Sequence, residues 1–281
     1  MVTTPDAGGP DSTLWAEANA SAYDAQAAAA LLSGAPHLRH PSLGARYERH
    51  ARRLLAAATA VSPPTVLELG AGDGRTTMPF LEAGADVVAV DVSQAQLDRL
   101  RRSAERIGAS VRTIEADAAD TLRTLRQEAR TFDVVSATSF LHHVPDYLAV
   151  LEDAVSLLGP SGAVGTFQDP LRYSGRGRAT RAFVRLAYAA WRLREGDRLG
   201  GVRRRLRRTI SGLDDARAED ALEFHAQRGG VDEDAVAALL RGHGLAVDVE
   251  RYFSTQSPFF QALGERLGLE TSFAVVAVRQ P

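Results

Sequence analysis

Apolar positions along this chain fall into two rhythms. From residue 65 onward, short apolar runs recur: T-V-L-E-L (65–69), D-V-V-A-V (86–90), V-R-T-I (111–114), F-D-V-V-S-A (132–137) and G-A-V-G-T-F (162–167). Stretches of helical spacing separate them, at 74–83, 93–107, 118–129 and 146–158, with Ser93 placed as an N-cap. Continuous apolar strands alternating with amphipathic helices predict an α/β, Rossmann-like, doubly wound sheet. Upstream, residues 14–32 are Ala-rich and helical in propensity. Residues 44–60 put Tyr47, Leu54 and Leu55 at helical spacing with arginines opposite, and Ser62-Pro63-Pro64 stops that helix.

The alternation breaks after the fifth strand. Residues 170–229 contain no strand pattern and read as two or three helices with Gly-rich joints at Ser174–Gly177 and Gly200-Gly201. The sheet resumes with a helix at 231–241, a strand at 245–252, a helix at 259–267 and a last strand at 272–278, which makes seven strands. The predicted layout is therefore a tail and cap helices (1–60), a core (61–169), a helical lid inserted after the fifth strand (170–229), and the rest of the core sheet (230–281).

Composition narrows the chemistry. The chain has 281 residues, 45% of them hydrophobic, enough for a sizeable core. No apolar run approaches the roughly 18 residues of a membrane span. Residues 1–12 lack the basic start and apolar centre of a secretory leader, so a cytoplasmic location is expected. The absence of cysteine removes disulfides, thiolate metal sites and Cys nucleophiles. Every basic side chain is arginine, which excludes a Schiff-base lysine and a P-loop lysine. The net charge of −2 conceals an asymmetry: thirteen arginines face two acids between Arg172 and Arg208. Such a segment points to an anionic partner or to pairing with acidic segments.

The strand ends carry the distinctive residues. The first strand runs into E-L-G-A-G-D-G (68–74), with glycine at every second position. Gly70 and Gly72 let a ligand approach the backbone, and Gly74 lets the next helix pack closely. That helix's N-terminus is expected to favour an anionic group such as a carboxylate. The second strand ends in Asp91, suited to accept hydrogen bonds from both ribose hydroxyls of a nucleoside, and the third is followed by Asp117, placed for an adenine amino group. Three acids on successive strand ends suit a cationic nucleoside better than a dinucleotide with two phosphates. S-adenosylmethionine, with an ammonium and a sulfonium, meets that description, and Glu68 would lie near its ammonium.

From about residue 60 to 281 the chain resembles the class I S-adenosylmethionine-dependent methyltransferases. E-L-G-A-G-D-G matches that family's E/D-x-G-x-G-x-G, V-V-A-V-D-V-S its ribose-binding strand end, and E-A-D-A its adenine turn. F-D-V-V-S-A-T-S-F-L-H-H-V matches the fourth-strand segment. L-L-G-P-S-G departs from the usual turn before the fifth strand, at the edge of the sheet opposite the cofactor. The resemblance implies a last strand that is antiparallel and lies between the fifth and sixth. It implies cofactor contacts from Glu68, Gly70, Ala71, Gly72, Asp91, Val92, Asp117, Ala118 and Ser139. Tyr23 resembles the tyrosines of N-terminal lid helices that close over the cofactor, with simple core packing as its alternative.

The candidates for chemistry are His143, Asp169 and His225. The His142-His143 pair is common across the resembled family whatever the substrate, and a hydrogen-bonded structural pair is its bland reading. Asp169 could serve as a base or steady a cation, or merely cap a helix before Pro170. His225 stands where the lid returns to the sheet. Asp214, Asp215, Glu219 and Asp220 suit an acidic first helical turn better than a magnesium site, so no metal is expected. R-R-R-L-R-R (203–208) could grip a substrate phosphate, touch an acidic membrane face, or pair with the acidic segment 214–234; without aromatic platforms nearby, nucleic acid is not expected.

The expected activity is methyl transfer from S-adenosylmethionine to a small molecule, a specialised metabolite or sugar, with O-methylation favoured and S-adenosylhomocysteine as product. C- or N-methylation of a phosphorylated or prenyl-type acceptor is the first alternative. A protein that binds the cofactor without methylating, such as a cyclase, is the second, and an NAD-dependent oxidoreductase the third. The acceptor is a small molecule that the arginines would allow to be anionic, and the assembly is a monomer or a homodimer.

Overall fold

The computed structural model describes residues 19–21, 23, 24, 35–58, 63–194 and 224–280. Seven strands form one sheet: β1 (Thr65–Leu69), β2 (Asp86–Asp91), β3 (Arg112–Glu115), β4 (Phe132–Thr138), β5 (Leu158–Pro170), β6 (Leu245–Tyr252) and β7 (Ser272–Arg279). Their order is β3-β2-β1-β4-β5-β7-β6. The first five pair in parallel, and β7 runs antiparallel between β5 and β6. The inserted last strand expected from the resemblance is thus present.

Alternation of side chains on the strands divides the core into two layers. On one face Val66, Val87, Ala89, Val134 and Ala163 pack beneath the helices Pro41–Ala57 and Gln94–Arg106, through Ala51, Leu54, Leu97 and Leu100. On the other, Leu67, Val88, Val135, Val164 and Val275 meet Leu122 and Leu125 of helix Ala118–Gln127, Leu151 of helix Tyr147–Ser156, and Leu240 of helix Glu233–Gly242. Both strand faces are apolar, as burial on two sides requires. Ser93 caps helix Gln94–Arg106 by accepting from the Gln96 N–H.

Three boundaries differ from the sequence reading. The N-terminal helix spans Pro41–Ala57 rather than 44–60, because Pro41 sits in its first turn, where a missing N–H costs nothing. β5 begins at Leu158, which pairs with Phe132, four residues before the predicted start. The helix after β1 is only Met78–Glu82, not 74–83. Gly70, Gly72 and Gly74 all have positive φ, so the chain turns until Thr77 before it can coil. The helix thus begins four residues beyond Gly74, although Thr77 N–H and Met78 N–H both donate back to Gly74 O at 3.0 Å.

The described parts of the inserted segment are helices Arg178–Arg194 and Phe224–Arg228. Its two ends are clamped together. Tyr173 N–H donates to Gly229 O at 2.7 Å, Val231 N–H to Pro170 O at 2.8 Å, and Arg172 pairs with Asp232 at 2.8 Å. The arginine run 203–208 and the acids Asp214, Asp215, Glu219 and Asp220 lie outside the described residues. Among the described residues no helix is long and apolar enough to cross a membrane.

Candidate active site

The C-terminal ends of β1, β2, β4 and β5 meet at one rim, where ligands bind in sheets of this kind. The glycine loop follows β1. Gly70 has φ +70°, and a Cβ there would lie 2.6 Å from the Phe140 ring. Gly72 has φ +53° with open space where a Cβ would stand. Side chains are excluded from the first by packing, and from the second by backbone conformation. Ala71, between them, is buried.

Asp91 ends β2 and organises the loop. Its Oδ2 accepts from Gly72 N–H at 2.8 Å and its Oδ1 from Ser93 N–H at 2.9 Å. Val92 links the two. Burial raises the Asp91 pKa above the ordinary carboxylate value, the two N–H donors oppose that, and the nearby Asp24 charge adds to it. Asp24 itself accepts from the Ser93 hydroxyl, so the N-terminal helical residues dock beside the end of β2. Asp117 is the N-cap of helix Ala118–Gln127: its Oδ1 accepts from Ala119 N–H at 2.8 Å. Sequence reading missed Asp24, although it adjoins Tyr23.

Glu68 has no exposed surface, and neither carboxylate oxygen has a hydrogen-bond partner among the described residues. It shares its sheet face with Val66 and Ser136, beneath helix Pro41–Ala57. The Tyr47 phenol nearby donates to Thr76 O at 2.6 Å. Burial pushes the Glu68 pKa up to about 7; the Thr76 and Thr77 hydroxyls soften the rise without completing a well-formed bond.

The ends of β4 and β5 hold the histidines. Ser139 follows β4 with φ 53°, a left-handed conformation in a non-glycine residue, and its N–H donates to Phe167 O at 2.6 Å. A 3₁₀ turn, Leu141–His143, comes next. Asp169 of β5 is wholly buried, and its Oδ1 accepts from both the backbone N–H of His142 (3.1 Å) and its ring Nδ1–H (2.8 Å). The sequence reading put His143 ahead of His142 and left open a capping role for Asp169. The structure gives His142 the carboxylate and keeps Asp169 inside the strand. The His142 and His143 rings lie 4.1 Å apart, and His143 Nε2 meets the Tyr23 hydroxyl at 3.2 Å. Tyr23 and His143, predicted for separate roles, are thus one contact. His225 Nε2–H donates to Pro145 O at 3.0 Å, and its ring stands edge-on to Tyr147 at 4.8 Å. Burial lowers its pKa, opposed by that carbonyl bond.

Comparison with known proteins agrees with this geometry. Residues 66–162 match a family model described as a methyltransferase domain. Over those residues the chain is similar to methyltransferase domains, in line with the resemblance read from its motifs. A curated relative, a ubiquinone biosynthesis O-methyltransferase from Actinobacillus pleuropneumoniae, is 31% identical over 100 residues, 35% of this chain and 43% of that protein. The chain thus spans under half the length of the curated relatives it matches first. Among solved structures, a Burkholderia thailandensis 1,6-didemethyltoxoflavin-N1-methyltransferase with S-adenosylhomocysteine bound is similar at TM-score 0.56 and 22% identity, over 100% of this chain and 94% of that one. A geranyl diphosphate C-methyltransferase from Streptomyces coelicolor is similar at TM-score 0.55 and 15% identity, over 99% and 100%. At those identities the likeness is one of fold.

Proposed function

We propose that this protein methylates a hydroxyl group of a small molecule, using S-adenosylmethionine, with His142 as the base. The observation that carries this reading is the buried Asp169 carboxylate holding both the backbone N–H and the ring of His142. The cofactor, when bound, supplies an electrophilic methyl group. The residues present fit it: a glycine cradle at Gly70 and Gly72, a ribose-height carboxylate at Asp91 fixed by two N–H groups, and an unpartnered buried carboxylate at Glu68 for an ammonium. Asp117, Ala118 and Ser139 complete the adenine side and the floor.

Asp169 fixes the His142 tautomer. With Nδ1–H donated to the carboxylate, Nε2 carries the lone pair that accepts the acceptor hydroxyl's proton, and Asp169 then steadies the imidazolium. His225 spends Nε2–H on Pro145 O, which suits it to hold the loop behind the 3₁₀ turn. His143 and Tyr23 close the side of the site. Oxygen as the receiving atom is supported by this oriented base and by the name of the curated relative. Neighbours of this fold whose names give nitrogen and carbon methylation are the reason the base, not the fold, carries the choice.

The test starts with calorimetry against S-adenosylmethionine and NAD. Turnover on a panel of phenols and sugars follows, read as a product one methyl group heavier together with S-adenosylhomocysteine. Wild-type protein should bind the first cofactor and transfer; His142→Ala should bind it equally and lose at least a hundredfold in kcat, as expected for loss of a general base. Binding of NAD alone, or full turnover by His142→Ala, overturns the reading.

A further inference from the structure

The residue that meets His142 is selected by a single irregularity in β5. Along β5 and β7, Ala163 faces Val278, Gly165 faces Val276 and Phe167 faces Ala274. Cross-strand partners point to the same side of a sheet. Ala163 and Val276 belong to the core layer under helix Pro41–Ala57, and Phe167 and Ala274 pack on Tyr47 of that same helix. Two residues beyond Phe167, Asp169 would by simple alternation point there too. The register instead slips, and Asp169 faces Phe273, a member of the opposite layer that also contains Leu141 and Val144. Gln168 is the extra residue: a β-bulge with φ +69°, a conformation that disfavours a side chain. The bulge carries Asp169 across the sheet to His142.

Something must hold so strained a residue in place. Gln168 N–H donates to the Tyr252 hydroxyl at 2.9 Å, that hydroxyl approaches Gln168 Oε1 at 3.3 Å, and Gln168 Nε2–H donates to Ser254 Oγ at 2.6 Å. The Tyr252 ring is stacked on Phe167, and the Arg46 guanidinium lies over it. Burial keeps its phenol protonated far above neutral pH.

We infer that Tyr252 and the Gln168 bulge are positioning residues: the Tyr252 hydroxyl fixes the bulge, and the bulge aims Asp169 at His142. This deepens the reading of His142 as base and rests on it for its consequence in turnover. The geometric claim itself can be tested without turnover.

The experiment is NMR of the His142 imidazole in the full chain, reading its ring nitrogen shifts and its hydrogen-bonded Nδ1–H resonance, with the neighbouring His143 assigned in the same spectra. Asp169→Asn removes the charged acceptor and should move the Nδ1–H resonance upfield. Tyr252→Phe keeps the ring and removes only the hydroxyl. It should move the same resonance in the same direction, and add nothing in the Asp169→Asn background, since both act through one contact. Gln168→Gly, which adopts the same φ without strain, should keep the wild-type spectrum of His142 and so controls for folding. An Nδ1–H resonance unchanged in Tyr252→Phe, or an effect that adds fully to that of Asp169→Asn, overturns the inference. If the shifts couple as stated while His142→Ala still turns over, the positioning stands and the base assignment falls.

Discussion

Replacing Glu68 by Gln should stabilise the protein without cofactor and weaken cofactor binding, two effects of opposite sign from one atom. Glu68 is wholly buried with no bonded partner on either oxygen among the described residues. Its pKa rises from 4.5 to about 7 because burial disfavours the carboxylate. A carboxyl whose folded pKa is raised contributes most to stability when protonated, below pH 4.5. That contribution is lost as the pH climbs through 7. At about 1.4 kcal/mol per pH unit, ionising it in the folded protein costs about 3 kcal/mol. Gln has nearly the same shape and does not ionise. Urea unfolding of both proteins at several pH values reads the difference. Relative to wild type, Glu68→Gln should gain about 3 kcal/mol between pH 4.5 and pH 8.5, most of it between 5 and 7.5. A cation beside Glu68 favours the ionised form, so S-adenosylmethionine affinity at pH 8 should fall in the variant. Stability curves that run parallel across this range would falsify the account of Glu68 as an unpaired buried acid.

Two further substitutions probe the loop. Asp91→Asn leaves one acceptor for the Gly72 and Ser93 N–H groups in place of two charged ones, and on the proposed reading it weakens the contact to the cofactor's ribose. Calorimetry should show cofactor affinity down at least tenfold with the fold retained, and undiminished affinity would remove Asp91 from the site. Gly70→Ala puts a methyl against Phe140 at a left-handed φ, and should cost about 1–3 kcal/mol in thermal unfolding and most of the cofactor affinity. A variant as stable as wild type would show that the loop can relax.

The sheet was legible in the sequence because burial on both faces writes a strand as an apolar run. β1, β2 and β6 lie where those runs stand, and the seven-strand count follows. The glycine loop and Asp91 were legible for a related reason: their spacing is fixed by covalent reach from one strand end to the next. The start of the helix after β1 was not, since its residues have helical propensity. The tie from Asp91 to Gly72 N–H and three positive-φ glycines overrule that propensity. The partner of Asp169 was not legible either. Alternation assigns a side chain to a face only while the register holds, and one bulged residue reverses it. Gln168 carries no mark of that in the sequence, and the Tyr252 hydroxyl that pins it lies 84 positions away.

The acids at this rim differ in what already satisfies them, and that difference orders their roles. Asp91 has one N–H on each oxygen, so its position is fixed while lone pairs remain for a neutral donor such as a sugar hydroxyl. Asp117 spends an oxygen on a helix cap. Asp169 concentrates two donors, both from His142, on a single oxygen, which orients a ring more than it binds a ligand. Glu68, wholly buried like Asp169, has no hydrogen-bond partner on either oxygen among the described residues. Coulombic attraction strengthens as the surroundings become less polar, so a positive group gains most from the carboxylate that is least solvated and least bonded. Among these acids, Glu68 is therefore where a ligand's cationic end has the greatest effect on binding. On the proposed reading the methyl-accepting chemistry lies instead beside His142, where Asp169 has already committed its charge to an imidazole.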